Sequence, residues 1–214
     1  MVRVAEHEVK RRYDASGRRA AAAERRRRIV AAARRRFLAE GYHATTIAQI
    51  AADAGVSTET IYKAFGGRAG LVEAIWNAAL AGEGRRHAES RSDEGSQQAT
   101  GPQQILRHWS RMAIEVAPLA GPVYELVRTA AVTDKDAARL QERIDAARAE
   151  RMTHNAAYLV DGGHLRPGLT ADHARDILLV ATADLYPAFV GRAGWEPEEY
   201  AELLYRFLSA ALLP

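Results

Sequence analysis

Apolar residues recur at three- and four-residue spacings over most of the chain, and no segment alternates as a half-buried strand would. From about Ala21, Ile29, Ala32, Ala33, Phe37 and, less strictly, Leu38 share one helical face, while arginines fill the other. Gly41 ends this helix, because glycine tolerates the left-handed backbone found just past a helix C-terminus. Thr45 and Thr46 are good capping residues for a second helix carrying Ile47, Ile50, Ala51 and Ala54. Gly55-Val56-Ser57 interrupts it, and Ser57 can cap a third helix with Ile61 and Phe65 on its inner side. Gly66-Gly67 is a further break, after which Leu71, Val72, Ile75, Trp76 and Leu80 mark a fourth amphipathic helix.

The flanking regions read differently. Residues 1–20 lack periodicity and read as a mobile basic arm, with Gly17 a weak boundary. Residues 82–101, rich in Gly, Ser, Gln and charge, read as a long loop or frayed segment. Helical periodicity returns over 105–117, 123–132, 135–160, 172–185 and 198–213, with prolines at or near element starts. The chain is therefore expected to be all-α. It divides into the arm (1–20), an N-terminal three-helix domain (21–68) and a C-terminal helical bundle (69–214).

Charge sharpens this division. The net +3 conceals an N-terminal segment, residues 1–40, with 13 basic and 5 acidic side chains, against 15 basic and 20 acidic over residues 73–214. A basic head on an acidic body suits a nucleic-acid-binding domain joined to a different module, and equally a disordered basic tail on any globular domain. Arginine supplies 27 of the 30 basic residues, so a single arginine carries little meaning, whereas Lys10, Lys63 and Lys135 stand out. With no cysteine there is no disulfide framework, thiolate metal site or cysteine nucleophile. The seven histidines are scattered without metal-ligand spacing, and no cofactor is expected. No run approaches the roughly 20 apolar residues that span a bilayer, and the charge-dense start has no signal-peptide core, so a cytoplasmic protein is expected.

Two short helices joined by Ala54-Gly55-Val56-Ser57 match a helix-turn-helix: the glycine makes the turn, Val56 plugs the space between the helices, and the second helix points polar side chains outward. A major groove entered by that helix would meet Thr58, Glu59, Thr60 and Lys63, beside the capping Ser57. Glu59 can accept from a cytosine amino group and Lys63 can donate to guanine. As an acid and a base four residues apart, the two can equally form a solvated helix pair. Tyr62 can offer its hydroxyl to a phosphate or sit half-buried. Thr45, Thr46 and Arg68 sit where helix N-termini meet a backbone phosphate, and capping is compatible with that role. The arm can lie along DNA or remain solvated.

In order and spacing, Phe37-Leu38-Ala39-Glu40-Gly41-Tyr42, Thr45-Thr46-Ile47, Ile50-Ala51, Ala54-Gly55-Val56-Ser57, Thr60-Ile61-Tyr62, Phe65, Arg68 and Leu71 resemble the DNA-binding domain of the TetR family of bacterial transcriptional regulators. Three positions depart from the pattern. Arg68 stands where lysine is usual and keeps the charge, Ala69 replaces a frequent acid, and Ala64 lacks a side chain that often approaches DNA. The resemblance implies a homodimer on a palindromic operator in double-stranded DNA, with repression as the usual mode. It also implies an interface built from the last two long helices, about 172–190 and 197–213, with Leu178, Leu185, Tyr200, Leu204, Phe207 and Leu208 as interface candidates. A small-molecule effector would bind among segments 105–117, 121–132 and 135–160, where Trp76, Trp109, Met112, Tyr124 and Tyr158 are the aromatic or soft residues to line a pocket. Binding would swing the fourth helix and move the reading heads out of register.

An enzyme has little support: there is no phosphate-binding glycine loop, nucleophile elbow or clustered acid–base pair. The better rival is a sequence-blind architectural DNA binder drawing affinity from the basic arm.

Overall fold

In the computed structural model the backbone is described for residues 2–82 and 86–214, and side chains for 16–82, 86–182 and 184–214. The described residues contain helices and no strand: α1 (Val2–Glu40), α2 (Ile47–Ala54), α3 (Thr58–Phe65), α4 (Arg68–Ala81), α5 (Ala88–Gln98), α6 (Pro102–Ala131), α7 (Lys135–Asp161), α8 (Ala171–Ala183), a π-helical turn (Pro187–Arg192) and α9 (Pro197–Leu212). No helix among these residues is long and apolar enough to cross a membrane. The chain forms two compact units, Met1–Ile75 and Trp76–Pro214, and the division falls inside α4.

In the first unit α1 packs on α2 and α2 on α3. Ile29, Ala32, Ala33 and Phe37 are buried, as are Ile47, Ile50, Ala51 and Ala54 on α2, and Ile61 on α3. The residues read as an aperiodic arm are helical in backbone and continuous with α1. Ala, Arg, Glu and Lys are all strong helix formers, so this stretch needs no apolar face to be helical, and periodicity alone misses it. From Ser16 to Arg28 every side chain is exposed.

The second unit holds a core in which Ile105, Leu106, Trp109, Leu159, Leu178, Tyr200, Leu204 and Leu208 come together from α6, α7, α8 and α9. Two sequence expectations are corrected here. Segments 105–117 and 123–132 are one helix, α6, which runs through Pro118 and Pro122; each proline forfeits one backbone donor bond, and the loss is absorbed within a long packed helix. The supposed loop 82–101 contains α5, whose buried residues are Ala88, Ser92 and Ser96, a stripe of small side chains. That stripe carries no apolar signal, because α5 is held by polar contacts rather than by burial of large residues. The indole Nε1–H of Trp109 donates to Ser96 Oγ at 3.0 Å, and Arg151 donates to Asp93 Oδ1 at 2.6 Å.

Candidate nucleic-acid interface and effector cavity

Local chemistry sets the geometry of the helix-turn-helix. Thr46 caps α2 reciprocally with Gln49: its Oγ1 accepts from the Gln49 amide at 3.2 Å, and Gln49 Oε1 accepts from the Thr46 amide at 2.8 Å. Gly55 ends α2 in the left-handed region at φ 65°, where a side chain would be strained. Ser57 Oγ then accepts from the Thr60 amide at 3.2 Å and lies 2.9 Å from Thr60 Oγ1, starting α3. With Ile61 fully buried beneath, α3 turns Thr58, Glu59, Tyr62 and Lys63 to solvent on one face, and Tyr62 is 56% exposed.

The three residues expected at a phosphate each have a partner within the chain. Thr45 is fully buried, and its hydroxyl donates to the Gly41 carbonyl at 2.8 Å. It is a strut in the turn before α2 and has no face to offer DNA. The hydroxyl of Thr46 is exposed but donates to Gln49 Oε1 at 2.7 Å. Arg68 lies with its guanidinium 4.8 Å over the Tyr42 ring and donates to the Tyr42 carbonyl at 3.5 Å, so it joins the start of α4 to the turn after α1.

Two members of the arginine face of α1 make specific contacts. Arg36 grips Asp53 with Nε at 2.7 Å and Nη2 at 3.0 Å, and Glu40 with Nη1 at 2.7 Å, tying α1 to α2. The hydrogen bonds from Arg36 hold the Asp53 carboxyl below the usual carboxylate range. Arg26 lies 4.4 Å over Phe65 and donates to the Ala64 carbonyl at 3.4 Å, so it braces the C-terminal end of α3. Neither 17- nor 38-residue separation leaves a local pattern. Gly70 is the other missed position: a Cβ there would stand 1.8 Å from the Phe65 carbonyl oxygen. Only a bare backbone allows this approach of α4 to the end of α3.

The second unit contains a cavity of about 220 Å³. Trp76, Trp109, Met112 and Tyr124 all line it, and Trp76 and Tyr124 have their rings 6.3 Å apart. Small residues at Ala113, Ala117, Ala120 and Gly121 on α6 leave the space, and Met152 and Ile144 on α7 close it. The polar part of the wall comes from His87, Glu89 and Ser92, and from Arg148, Arg151 and Asn155. Tyr158 lies outside this lining. Its hydroxyl accepts from Gln97 Nε2 at 3.4 Å and its ring meets His154 edge-on, so it belongs to the seam between α5 and α7. Burial, reinforced by the hydrogen bond its hydroxyl donates to Asp145 at 2.7 Å, pushes the Tyr124 phenol up.

The interface candidates divide. Leu178, Tyr200, Leu204 and Leu208 are fully buried in the core of their own unit, so they have no surface to give a partner. Burial raises the Tyr200 phenol to about 12, and its hydroxyl donates to the Ala181 carbonyl at 3.2 Å. Leu185 is half-buried against the same core, and Phe207 is 45% exposed. The sequence stripe on α9 is broad because the helix packs inward on α6 as well as α8, and Val180 on α8 is 55% exposed.

Residues 29–75 match the family model described as bacterial regulatory proteins, tetR family. Over that segment, which holds the helix-turn-helix, the chain is similar to the tetR family of bacterial regulatory proteins. No curated protein sequence matches the chain. Solved structures extend the TetR-family fold through the second unit. A putative TetR-family transcriptional regulator from Syntrophomonas wolfei is 20% identical, with TM-score 0.69 over 87% of this chain and 94% of its own. NalD, the secondary repressor of the MexAB-OprM multidrug efflux pump in Pseudomonas aeruginosa, is 20% identical, with TM-score 0.68 over 89% and 98%. A putative transcriptional regulator from Saccharomonospora viridis, solved in complex with choline, is 19% identical, with TM-score 0.67 over 90% and 99%.

Proposed function

We propose that this TetR-family chain is a cytoplasmic homodimeric repressor that reads a palindromic operator through α3 and is released from it by a small molecule held in the second unit. One observation carries the reading: α3 is fixed by Ser57, Ile61 and Arg26 while Thr58, Glu59, Tyr62 and Lys63 remain exposed together on its outer face. A helix presented in this way fits a major groove, with Lys63 donating to guanine and Glu59 accepting from cytosine. Thr46 and the first amides of α2 face a phosphate; Thr45 positions that turn from inside.

A single helix-turn-helix contacts few base pairs, so a second copy is needed for specificity, with its reading helix about 34–36 Å away. The exposed Val180 and Phe207 supply the apolar part of the dimer face, and the buried leucines behind them hold α8 and α9 in place. The cavity supports effector control, and NalD and the choline-bound regulator show the company this fold keeps. The effector acts to the extent that it binds the released state more tightly than the DNA-bound one. Selection of duplexes from a random pool by the purified protein tests the reading. One enriched palindrome, bound at least 1,000-fold more tightly than random duplex, is expected, roughly the lower end for specific binders. Salt-sensitive binding with no enriched sequence would establish the architectural alternative instead.

A further inference from the structure

The cavity wall carries two guanidiniums that differ in what they are already doing. Arg151 is committed: one of its terminal nitrogens donates to Ser92 Oγ at 3.0 Å, to Asp93 Oδ1 at 2.6 Å and to Asn155 Oδ1 at 2.6 Å. Arg148 is not. Its side chain is 22% exposed, it lies 4.7 Å over the Tyr124 ring, and its nearest carboxylate, Asp145, is 3.6 Å away, beyond hydrogen-bond geometry. The Asp145 Oδ1 that faces it is instead taken by the Tyr124 hydroxyl at 2.7 Å. Among the described residues none of the five N–H donors of Arg148 is hydrogen-bonded, which is rare for a guanidinium so far withdrawn from water.

Among the described residues, acids do not balance it on the cavity side. Asp93 and Asp145 are not part of the lining, and Glu89, the one carboxylate on it among the described residues, is 53% exposed beside His87. We propose that the effector is an organic monoanion with an aromatic or branched apolar body. Its carboxylate, or an equivalent planar oxyanion, lies in the fork of Arg148, and its body lies among Trp76, Trp109, Met112 and Met152. An apolar cavity of about 150 Å³ holds one benzene ring, so the 220 Å³ here suits one to two rings. Planar two-point recognition is what arginine provides and lysine does not.

The proposal rests on the effector cavity of the proposed function, and the test separates the two. Quenching of Trp76 and Trp109 fluorescence in the full-length protein is titrated with 1-naphthylacetate, its neutral amide 1-naphthylacetamide, and the cation 2-(1-naphthyl)ethylammonium. The acid should bind about 10- to 100-fold more tightly than the amide, and the cation most weakly. Arg148→Gln should remove the preference for the acid and leave amide affinity within threefold, and Arg148→Lys should keep only part of it. Equal affinities for acid and amide in the wild type would overturn the anion assignment while leaving the cavity reading intact; this comparison needs no variant. Loss of both ligands alike in the glutamine and lysine variants would overturn the role of Arg148. No quenching by any of the three up to 1 mM would overturn the cavity reading and the proposal together.

Discussion

Replacing Ser96 with alanine tests how α5 is held against the rest of its unit. Ser96 and Trp109 are both at least 95% buried, and the Trp109 indole N–H donates to Ser96 Oγ and to no other side chain among the described residues. Ser96→Ala deletes the acceptor but leaves the indole in place, so a buried donor is stranded. Such a donor costs about 1–3 kcal/mol, more than the net value of the bond itself, because its desolvation is no longer offset. The lost hydroxyl's own bond to the Ser92 carbonyl, 2.8 Å, adds little, since helix backbone already serves that carbonyl. Spread over a unit of this size, each kcal/mol lowers the midpoint by roughly 3–4 °C, so a fall of about 3–12 °C is expected. Local opening should exceed global loss. Hydrogen exchange should show the α5 amides deprotected well before those of α6, because α5 buries only small side chains and has little else to hold it. Trp109→Phe in the Ser96→Ala background removes the stranded donor and should recover part of the loss. An unchanged midpoint and unchanged α5 protection in Ser96→Ala would refute this account of the helix.

Other consequences are independent of that one. Gly70→Ala places a methyl into the Phe65 carbonyl, so the turn between α3 and α4 must open, and destabilisation of about 1–3 kcal/mol with a marked loss of operator affinity is expected from calorimetry and DNA titration. The Asp93 carboxyl is held below the usual range, first by its hydrogen bond from Arg151. Its contribution is therefore complete above about pH 4 and disappears as pH falls through the depressed value. Hydrogen exchange should show α5 loosening across that acid window in the wild type, and Asp93→Asn should be loosened already at neutral pH. Val180→Glu combined with Phe207→Glu should yield a folded monomer in sedimentation experiments, because both side chains already face solvent within the chain; a persistent dimer would place the interface elsewhere.

What the sequence revealed follows the range over which each interaction acts. The breaks at Gly41, Gly55 and Gly66 and the caps at Thr46 and Ser57 are local devices, complete within four residues, and all are visible without coordinates. Ile61 inward and Lys63 outward follow from the same periodicity. The errors arise where a residue's role depends on a distant partner. Thr45 has the right chemistry for a phosphate, yet its hydroxyl turns inward and shares the Gly41 carbonyl with its own backbone amide. Arg26 and Arg36 look like any other arginine on α1 until Phe65 and Asp53 are brought to them.

The second unit shows the same limit from the opposite side. Apolar periodicity finds helices that bury large side chains, so it finds α9 and misses α5, where serines and alanines face inward and the holding forces are Trp109–Ser96 and Arg151–Asp93. It also counts a buried apolar residue and an exposed one alike, which is why Leu204 and Phe207 could not be told apart on a stripe they share. The cavity, by contrast, had a signal that was available and unread. Ala113, Ala117, Ala120 and Gly121 recur along the side of α6 that also carries Tyr124, and Trp76 of α4 meets them across the cavity. Small residues facing large aromatic ones leave either a tight seam between helices or an opening between them. Spacing cannot choose between the two; the separation of the backbones does, and that separation is set by the core that adjoins the cavity along the same face of α6, where Leu106, Leu159 and Tyr200 meet.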